Sequence, residues 1–195
     1  QLLAYRELSA QGGQPDSLLG FTDMLPLIQD MEKPLIGAIN GPCVGGGMEL
    51  ASFCDIRIAS EQARFGMAFV RMGEVPPGIG CYLLPRIVGI AIALELMWTG
   101  RLFDAQEALR LGYVSRVVPH QELMPAVREL ALQLARGPGV AIGLIKRLTY
   151  RCLDMDISQA VEAHREAARV ASSTQDAKEG PRAWVEKREP LFKGK

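Results

Sequence analysis

Gly45, Gly46 and Gly47 stand in a row, and Glu49 follows them with only Met48 between, in the stretch GPCVGGGMEL. Glycine-rich turns between a strand and a helix serve several chemistries. A dinucleotide site needs G-x-G-x-x-G and an acid about 20 residues further on, and GGGMEL lacks that spacing. A P-loop needs Gly-Lys-Ser/Thr, and no lysine follows. A nucleophile elbow needs G-x-S-x-G, and no serine is present. What remains is an anion hole for a single oxygen. Glycines let the backbone approach a ligand closely, and free N–H groups at a helix start point outward with the favourable end of the helix dipole. Such donors can stabilise an enolate oxygen by roughly 3–4 kcal/mol each. Glu49, in the first turn of that helix, has two roles open to it. It could offset the dipole, contributing about 0.3–1 kcal/mol. Among the apolar Met48, Leu50 and Ala51 it could instead carry a raised pKa and move protons near neutrality.

The flanking segments supply the elements that position this turn. KPLIGAINGP, bounded by Pro34 and Gly41-Pro42, reads as a buried strand of the parallel type, GMELASFC as a short helix, and DIRIAS as a second strand. Residues 34–60 thus predict one β-α-β unit. Residues 63–80 have no clear period and are rich in glycine and proline, which predicts a loop lining a site. Upstream, residues 1–16 read as a loop, and Leu18 to Met31 carries a helical stripe with Pro26 in the first turn. Helices dominate from Leu83. One spans Ile90 to Trp98. Another, DAQEALRLG, has an Asp104 N-cap, a capping-box Glu107 and a terminating Gly112. YVSRVVP reads as a strand. Three longer helices follow, Gln121 to Ala135, Val140 to Cys152 and Ser158 to Ser173, and then an amphipathic, finally basic tail. The composition changes near residue 137, which divides the chain into residues 1–136, of mixed strands and helices, and an all-helical 137–195.

The 195 residues, 48% hydrophobic, are enough for a substantial core. Twenty-two basic residues balance 22 acidic ones, so neither nucleic acid nor an anionic membrane is expected as a partner. No apolar run reaches membrane-spanning length. The 4 cysteines are widely spaced among apolar neighbours and read as buried free thiols of a reducing compartment. His120 and His164 are far apart, with no metal-ligand spacing and no evident serine or cysteine partner, so no metal site is expected.

KPLIGAINGPCVGGGMELASFCDIRIAS resembles the signature of the crotonase (enoyl-CoA hydratase/isomerase) superfamily. The resemblance continues through ARFG, LLPRIVG, TGRLFDAQEALRLGYVSRVVP and the tail EGPRAWVEKREPLFKGK, covering nearly all of residues 33–195. It implies an α/β fold, a spiral of β-β-α turns, followed by a C-terminal helical region that drives trimerisation. Residues 1–136 would then be a partial spiral core and 137–195 the trimerisation region. Nothing before Lys33 matches the family's first motif, and the chain begins at Gln1, so the resemblance implies a spiral whose N-terminal part is absent here.

The resemblance also implies roles. The substrate would be an acyl-CoA thioester, with coenzyme A as part of the substrate and no separate cofactor. Two N–H groups would hold the thioester oxygen. Gly46, beside Gly45, matches the second; the first belongs to a motif ahead of this chain. Glu49 matches one of the two glutamates that hydratases of the family use. The other aligns with Phe69, which cannot carry a proton. Glu74, five residues on, is the candidate substitute, although a solvated loop glutamate is the plainer reading. Met67, Phe69 and Met72 would line an acyl pocket or lie in the core. Trp184 and Lys187 match positions that reach the CoA adenine and phosphates of a neighbouring subunit. The expected activity is enoyl-CoA hydration, with one-base double-bond isomerisation as the rival that Phe69 raises. A non-catalytic acyl-CoA-binding protein, or decarboxylation, dehalogenation or thioester hydrolysis on the same fold, stay open. A homotrimer or a hexamer is expected, in the cytoplasm, or in the mitochondrial matrix should a transit peptide precede Gln1.

Overall fold

The computed structural model of the chain describes residues 26–28 and 30–195. The expected loop over residues 1–16 and the start of the helix expected from Leu18 lie outside the described residues; residues 26–28 and 30 are helical. Two compact units are present. The first includes Gly37–Leu123, and the second joins Ile28–Ile36 to Met124–Lys195. The division falls ahead of residue 137, where the composition changes.

The first unit divides its described strands between two small sheets. Strands β1 (Ile36–Ile39), β3 (Ile56–Ser60) and β6 (Arg116–Val118) form one, in the order β1-β3-β6; β2 (Pro42–Val44), β4 (Arg64–Gly66) and β5 (Phe103–Asp104) form the other, in the order β2-β4-β5. β2 and β4 run parallel with Cys43 opposite Phe65, and β3 and β6 run parallel with Ala59 opposite Val117. The first two excursions of the chain each give one strand to each sheet and then a helix. β1 and β2 lead into α1 (Gly46–Ser52), and β3 and β4 lead, through a 3-10 turn at Ala68–Met72, into α2 (Gly80–Val88). This is the β-β-α repeat that the sequence resemblance implies.

The β-α-β unit expected at 34–60 therefore needs correction. The run ahead of the glycines is broken at Asn40 and Gly41 into two strands of different sheets, and β2, not β1, feeds the glycine turn. The segment 63–80 is likewise less irregular than its composition suggests. Strand β4 is only 3 residues long, too short for alternation to register. Space is tight at Gly66: a Cβ would stand 2.5 Å from Leu102 Cδ2 and 3.2 Å from the Arg101 carbonyl, so a larger residue would displace the Leu102 side chain.

Three aromatic rings centre the first unit's core. Phe65 stacks on Phe103 at 5.6 Å, and Tyr113 meets Phe65 edge-on at 5.4 Å. Tyr113 is fully buried, and its hydroxyl donates to the Met48 carbonyl at 2.9 Å and lies 3.0 Å from Ser52 Oγ. Ser52 Oγ also donates to Met48 O. The Arg57 guanidinium donates to the carbonyls of Ala51, Cys54 and Tyr113, placing a cation at the C-terminal end of α1, where the dipole favours it. A 7-residue helix is thus tied down from behind by side chains of later strands and turns. Tyr113→Phe keeps the ring packing and leaves one bond fewer on α1. A loss of about 0.5–1.5 kcal/mol is expected in denaturant unfolding, and an unchanged midpoint would remove the hydroxyl from this account.

Helices α3 (Ile90–Thr99) and α4 (Ala105–Arg110) complete the first unit. Asp104 caps α4 by accepting from Glu107 N at 2.8 Å, as expected, and Gly112 takes φ +74. The reciprocal half of the expected capping box is not made. The Glu107 carboxylate turns to Arg101 at 2.8 Å, because an ion pair with a guanidinium outcompetes a single backbone N–H. The cysteines are free. Cys43 is buried and its thiol pushed up to about 12, chiefly by burial, but Cys54 and Cys152 are only half-buried and Cys81 is exposed, contrary to the uniform burial expected.

The second unit is helical: α5 (Leu123–Ala135, all but its first residue), α6 (Gly139–Arg151), α7 (Ile157–Ser172) and α8 (Asp176–Val185). α7 starts with a complete capping box, Asp156 with Gln159. α6 holds the 28–36 segment through Arg147–Glu32, Arg151–Asp30 and Lys146 Nζ donating to Lys33 O. The C-terminal tail folds back onto α8, where the buried Asp176 accepts from the N–H groups of Lys193 and Gly194. Among the described residues no helix is long and apolar enough to cross a membrane.

Candidate active site

Strand β2 delivers the chain to Gly45, whose φ of 57° and ψ of −122° suit glycine alone. The Gly45 N–H prolongs the β2–β4 pairing by donating to Gly66 O at 2.8 Å, and its carbonyl accepts from Met48 N and Glu49 N to open α1. Gly46 and Gly47 are exposed, and a Cβ on either would meet nothing within 4 Å. The glycine turn therefore faces open space, and the N–H of Gly46, as the first residue of α1, has no acceptor within the helix.

Glu49, one turn into α1, is 1% exposed. Its Oε1 accepts from Gly78 N at 2.9 Å and Gly80 N at 3.0 Å. Burial pushes the carboxyl above its usual range, and the bonds from Gly80 and Gly78 partly oppose the shift by favouring the charged form. No charged neighbour is among the causes. Offsetting the helix dipole does not require a carboxylate to be buried. A buried carboxylate poised above its ordinary range, in the first turn of a helix whose first N–H lacks an intrahelical acceptor, has the character of a proton-exchanging group.

The glycines of the opposing segment are dictated by Glu49. A Cβ on Gly78 would lie 2.9 Å from Glu49 Oε2, and one on Gly80 would lie 3.0 Å from Oε1 and 2.9 Å from Pro76 Cβ. These two residues were legible in the sequence only as part of a glycine- and proline-rich loop. What they contribute is a backbone N–H, which every residue but proline has, so no side-chain signal marks them.

The other expected site residues are sorted by burial. Phe69 is buried and its ring lies over the glycine turn, 3.7 Å from where a Gly45 Cβ would stand. Met67 is fully buried, its Cε 3.2 Å from a Cβ position on Gly80; it packs in the core behind Glu49, not on an open wall. Met72 is 51% exposed. Glu74 is half-buried in the loop after the 3-10 turn, its N–H donating to Phe69 O. Trp184, 85% exposed, and Lys187 lie at the end of α8 in the second unit, where Lys187 takes a left-handed φ of 50° as the helix ends. His120, read from the sequence as lacking a serine partner, has one. Its Nδ1 lies 3.1 Å from the fully buried Ser60 Oγ, which already accepts from Gln62 N. A separation of 60 residues hid the pair, in which Ser60 is buried and His120 is exposed.

Comparison with known proteins follows the same lines. Residues 6–195 match the enoyl-CoA hydratase/isomerase family. The chain is 38% identical over 187 residues to crotonyl-CoA hydratase of Syntrophomonas wolfei, covering 96% of this chain and 72% of that protein. It is 37% identical over 193 residues to carnitinyl-CoA dehydratase of Citrobacter koseri, covering 96% and 74%. Among solved structures, an enoyl-CoA hydratase/isomerase from Cupriavidus metallidurans superposes with a TM-score of 0.91 at 32% identity, covering 99% of this chain and 74% of that one. On fold and sequence together, the chain belongs to the enoyl-CoA hydratase/isomerase family of the crotonase superfamily.

Proposed function

We propose that this protein acts on an enoyl-CoA thioester, with Glu49 as the acid/base and the Gly46 N–H as a donor to the thioester oxygen. The observation that carries the reading is the Glu49 carboxylate itself. It is buried, raised in pKa and anchored through one oxygen, in the first turn of a helix whose first N–H, that of Gly46, has no intrahelical acceptor and belongs to an exposed glycine. An α-proton of a thioester is too weakly acidic for a bare carboxylate. A donor on the developing enolate oxygen lowers that barrier, because it binds the transition state more strongly than the ground state.

Hydration is the first reading, favoured by relatives named as a crotonyl-CoA hydratase and a carnitinyl-CoA dehydratase. In a one-carboxylate version, Glu49 takes a proton from water as the hydroxyl adds to the β-carbon and the electron pair moves onto the thioester oxygen. The carboxylic acid then returns that proton to the α-carbon, leaving Glu49 ionised and a 3-hydroxyacyl thioester. Phe69, packed on the glycine turn where the resemblance puts a second acid, favours a second reading. Glu49 would remove the α-proton of a 3-enoyl thioester and return it to the γ-carbon, shifting the double bond with no net change in composition. Coenzyme A enters as part of the substrate, and Trp184 and Lys187 are the proposed contacts of a neighbouring subunit with it. Met72 and Phe69 are the proposed acyl-chain contacts, Gly45 lies beside the thioester, and Glu74 is the reserve acid.

Incubation with 2-enoyl- and 3-enoyl-CoA thioesters in heavy water, read by mass spectrometry, separates the readings. Water addition lost in Glu49→Gln supports hydration. Deuterium uptake with a moved double bond supports isomerisation. CoA binding without change in any thioester would overturn both and leave an acyl-CoA-binding protein.

A further inference from the structure

Glycine is placed unexpectedly in the Gly78–Ile79–Gly80 turn. The residue that takes the left-handed backbone is the isoleucine, with φ 63° and ψ 24°. A β-branched side chain rarely occupies that region. Only one other described non-glycine residue has positive φ, Lys187, at a helix end where a left-handed residue is common. The flanking glycines are explained by room, since a Cβ on either would crowd the Glu49 carboxylate. Ile79 is left to make the turn. An observed strained residue beside a reactive group is grounds for a functional hypothesis.

The consequence of the turn is directional. N–H groups on either side of a left-handed residue converge, as in anion-binding backbone concavities. Here both converge on Glu49 Oε1, and Oε2 accepts from no described residue. The Ile79 carbonyl receives Tyr82 N at 2.9 Å and Leu83 N at 3.1 Å, so the start of α2 holds the turn closed.

We propose that Ile79 is a positioning residue. Its left-handed backbone aims two N–H groups at Oε1 and leaves Oε2 as the oxygen that takes up and returns the proton. This rests on the acid/base reading of Glu49 given above. An isoleucine holds the turn where glycine would let it open, because a glycine backbone has many more conformations to visit.

The test is a carbon-13 titration of the Glu49 carboxyl, assigned by its disappearance in Glu49→Gln. The two N–H bonds favour the ionised form, so loosening them raises the midpoint. Ile79→Gly is expected to move it upward by about half a pH unit or more. The thermal midpoint should hold or rise, since relief of the left-handed backbone offsets the added freedom of the unfolded chain. Ile79→Asn, which tolerates this conformation, is expected to keep the titration close to that of the parent chain. On an enoyl-CoA substrate, Ile79→Gly should lower kcat about tenfold with KM little changed, and the acid limb of kcat/KM should move to higher pH. An unmoved Glu49 titration in Ile79→Gly overturns the proposal. So does a shift that appears in both variants together with a matching fall in thermal midpoint, which would mean general loosening. Full turnover by Glu49→Gln would instead sink the acid/base reading and leave the titration result standing, so the two failures are distinct.

Discussion

Glu49→Gln is expected to lower turnover of an enoyl-CoA thioester by about 10²–10⁴-fold, the range for loss of a positioned acid or base, and at the same time to make the protein more heat-stable near neutral pH. Both effects follow from burial. Gln keeps the shape and an oxygen to accept from Gly78 and Gly80 but cannot carry a proton. The carboxyl of Glu49 is raised above its unfolded value, so the native state holds its proton more tightly than the unfolded chain does. Ionisation therefore costs stability increasingly as pH rises from the unfolded pKa through the folded one, and the full penalty applies above the folded value. The gain from Glu49→Gln should be small at pH 4 and largest at pH 7–8. For a chain of this size each 1 kcal/mol appears as about 2–4 °C in the thermal midpoint. Melts at the two pH values with steady-state kinetics check this. Retained turnover, or a midpoint that falls at pH 7–8, would show that Glu49 is an ordinary structural carboxylate.

Gly78→Ala carries the second large effect. Its φ does not demand glycine, so the backbone tolerates the change, but the new methyl would stand 2.9 Å from Glu49 Oε2 and 3.1 Å from its Cδ. Real Cβ atoms do not approach that closely, so the carboxylate must move. In the proposed function the displaced group is the one that meets the substrate, and an error of about 1 Å in such a group can cost on the order of 10²-fold in rate. A kcat loss of that size is expected, with circular dichroism unchanged. Gly41→Ala, whose methyl would meet nothing within 4 Å, is the matched control and should behave as the parent. Equal activity of the two variants would contradict the placement of Glu49 against the Gly78–Ile79–Gly80 turn.

These predictions depend on features that the sequence discloses unequally. The glycine run with Glu49 behind it was legible as a candidate site because its sequence signal lies within five residues. A turn only glycine can take is followed by a helix start and a carboxylate among apolar neighbours. The Asp104 cap and most of the helices were legible for the same reason, since caps and helical stripes are local patterns. The broken run at 34–44 was not. Strands β1 and β2 are 4 and 3 residues long, and short apolar segments do not say which sheet they will join. Met67 and Cys81 show the limit of hydrophobic character as a guide. The first is in the core and the second on the surface, and only packing decides which.

The sequence by itself determined the family and the α/β class, and it marked the glycine turn and Glu49 on which the proposed function rests. Tertiary structure alone decided how that residue is held. The donors to Glu49 lie 29 and 31 residues downstream, and the Tyr113 hydroxyl that ties the Met48 carbonyl lies 65 residues away. The physical reason is that a backbone N–H leaves no mark on residue type. Which of them converge on a buried carboxylate depends on where Ile79 turns the chain, and that is settled only when the two segments pack together.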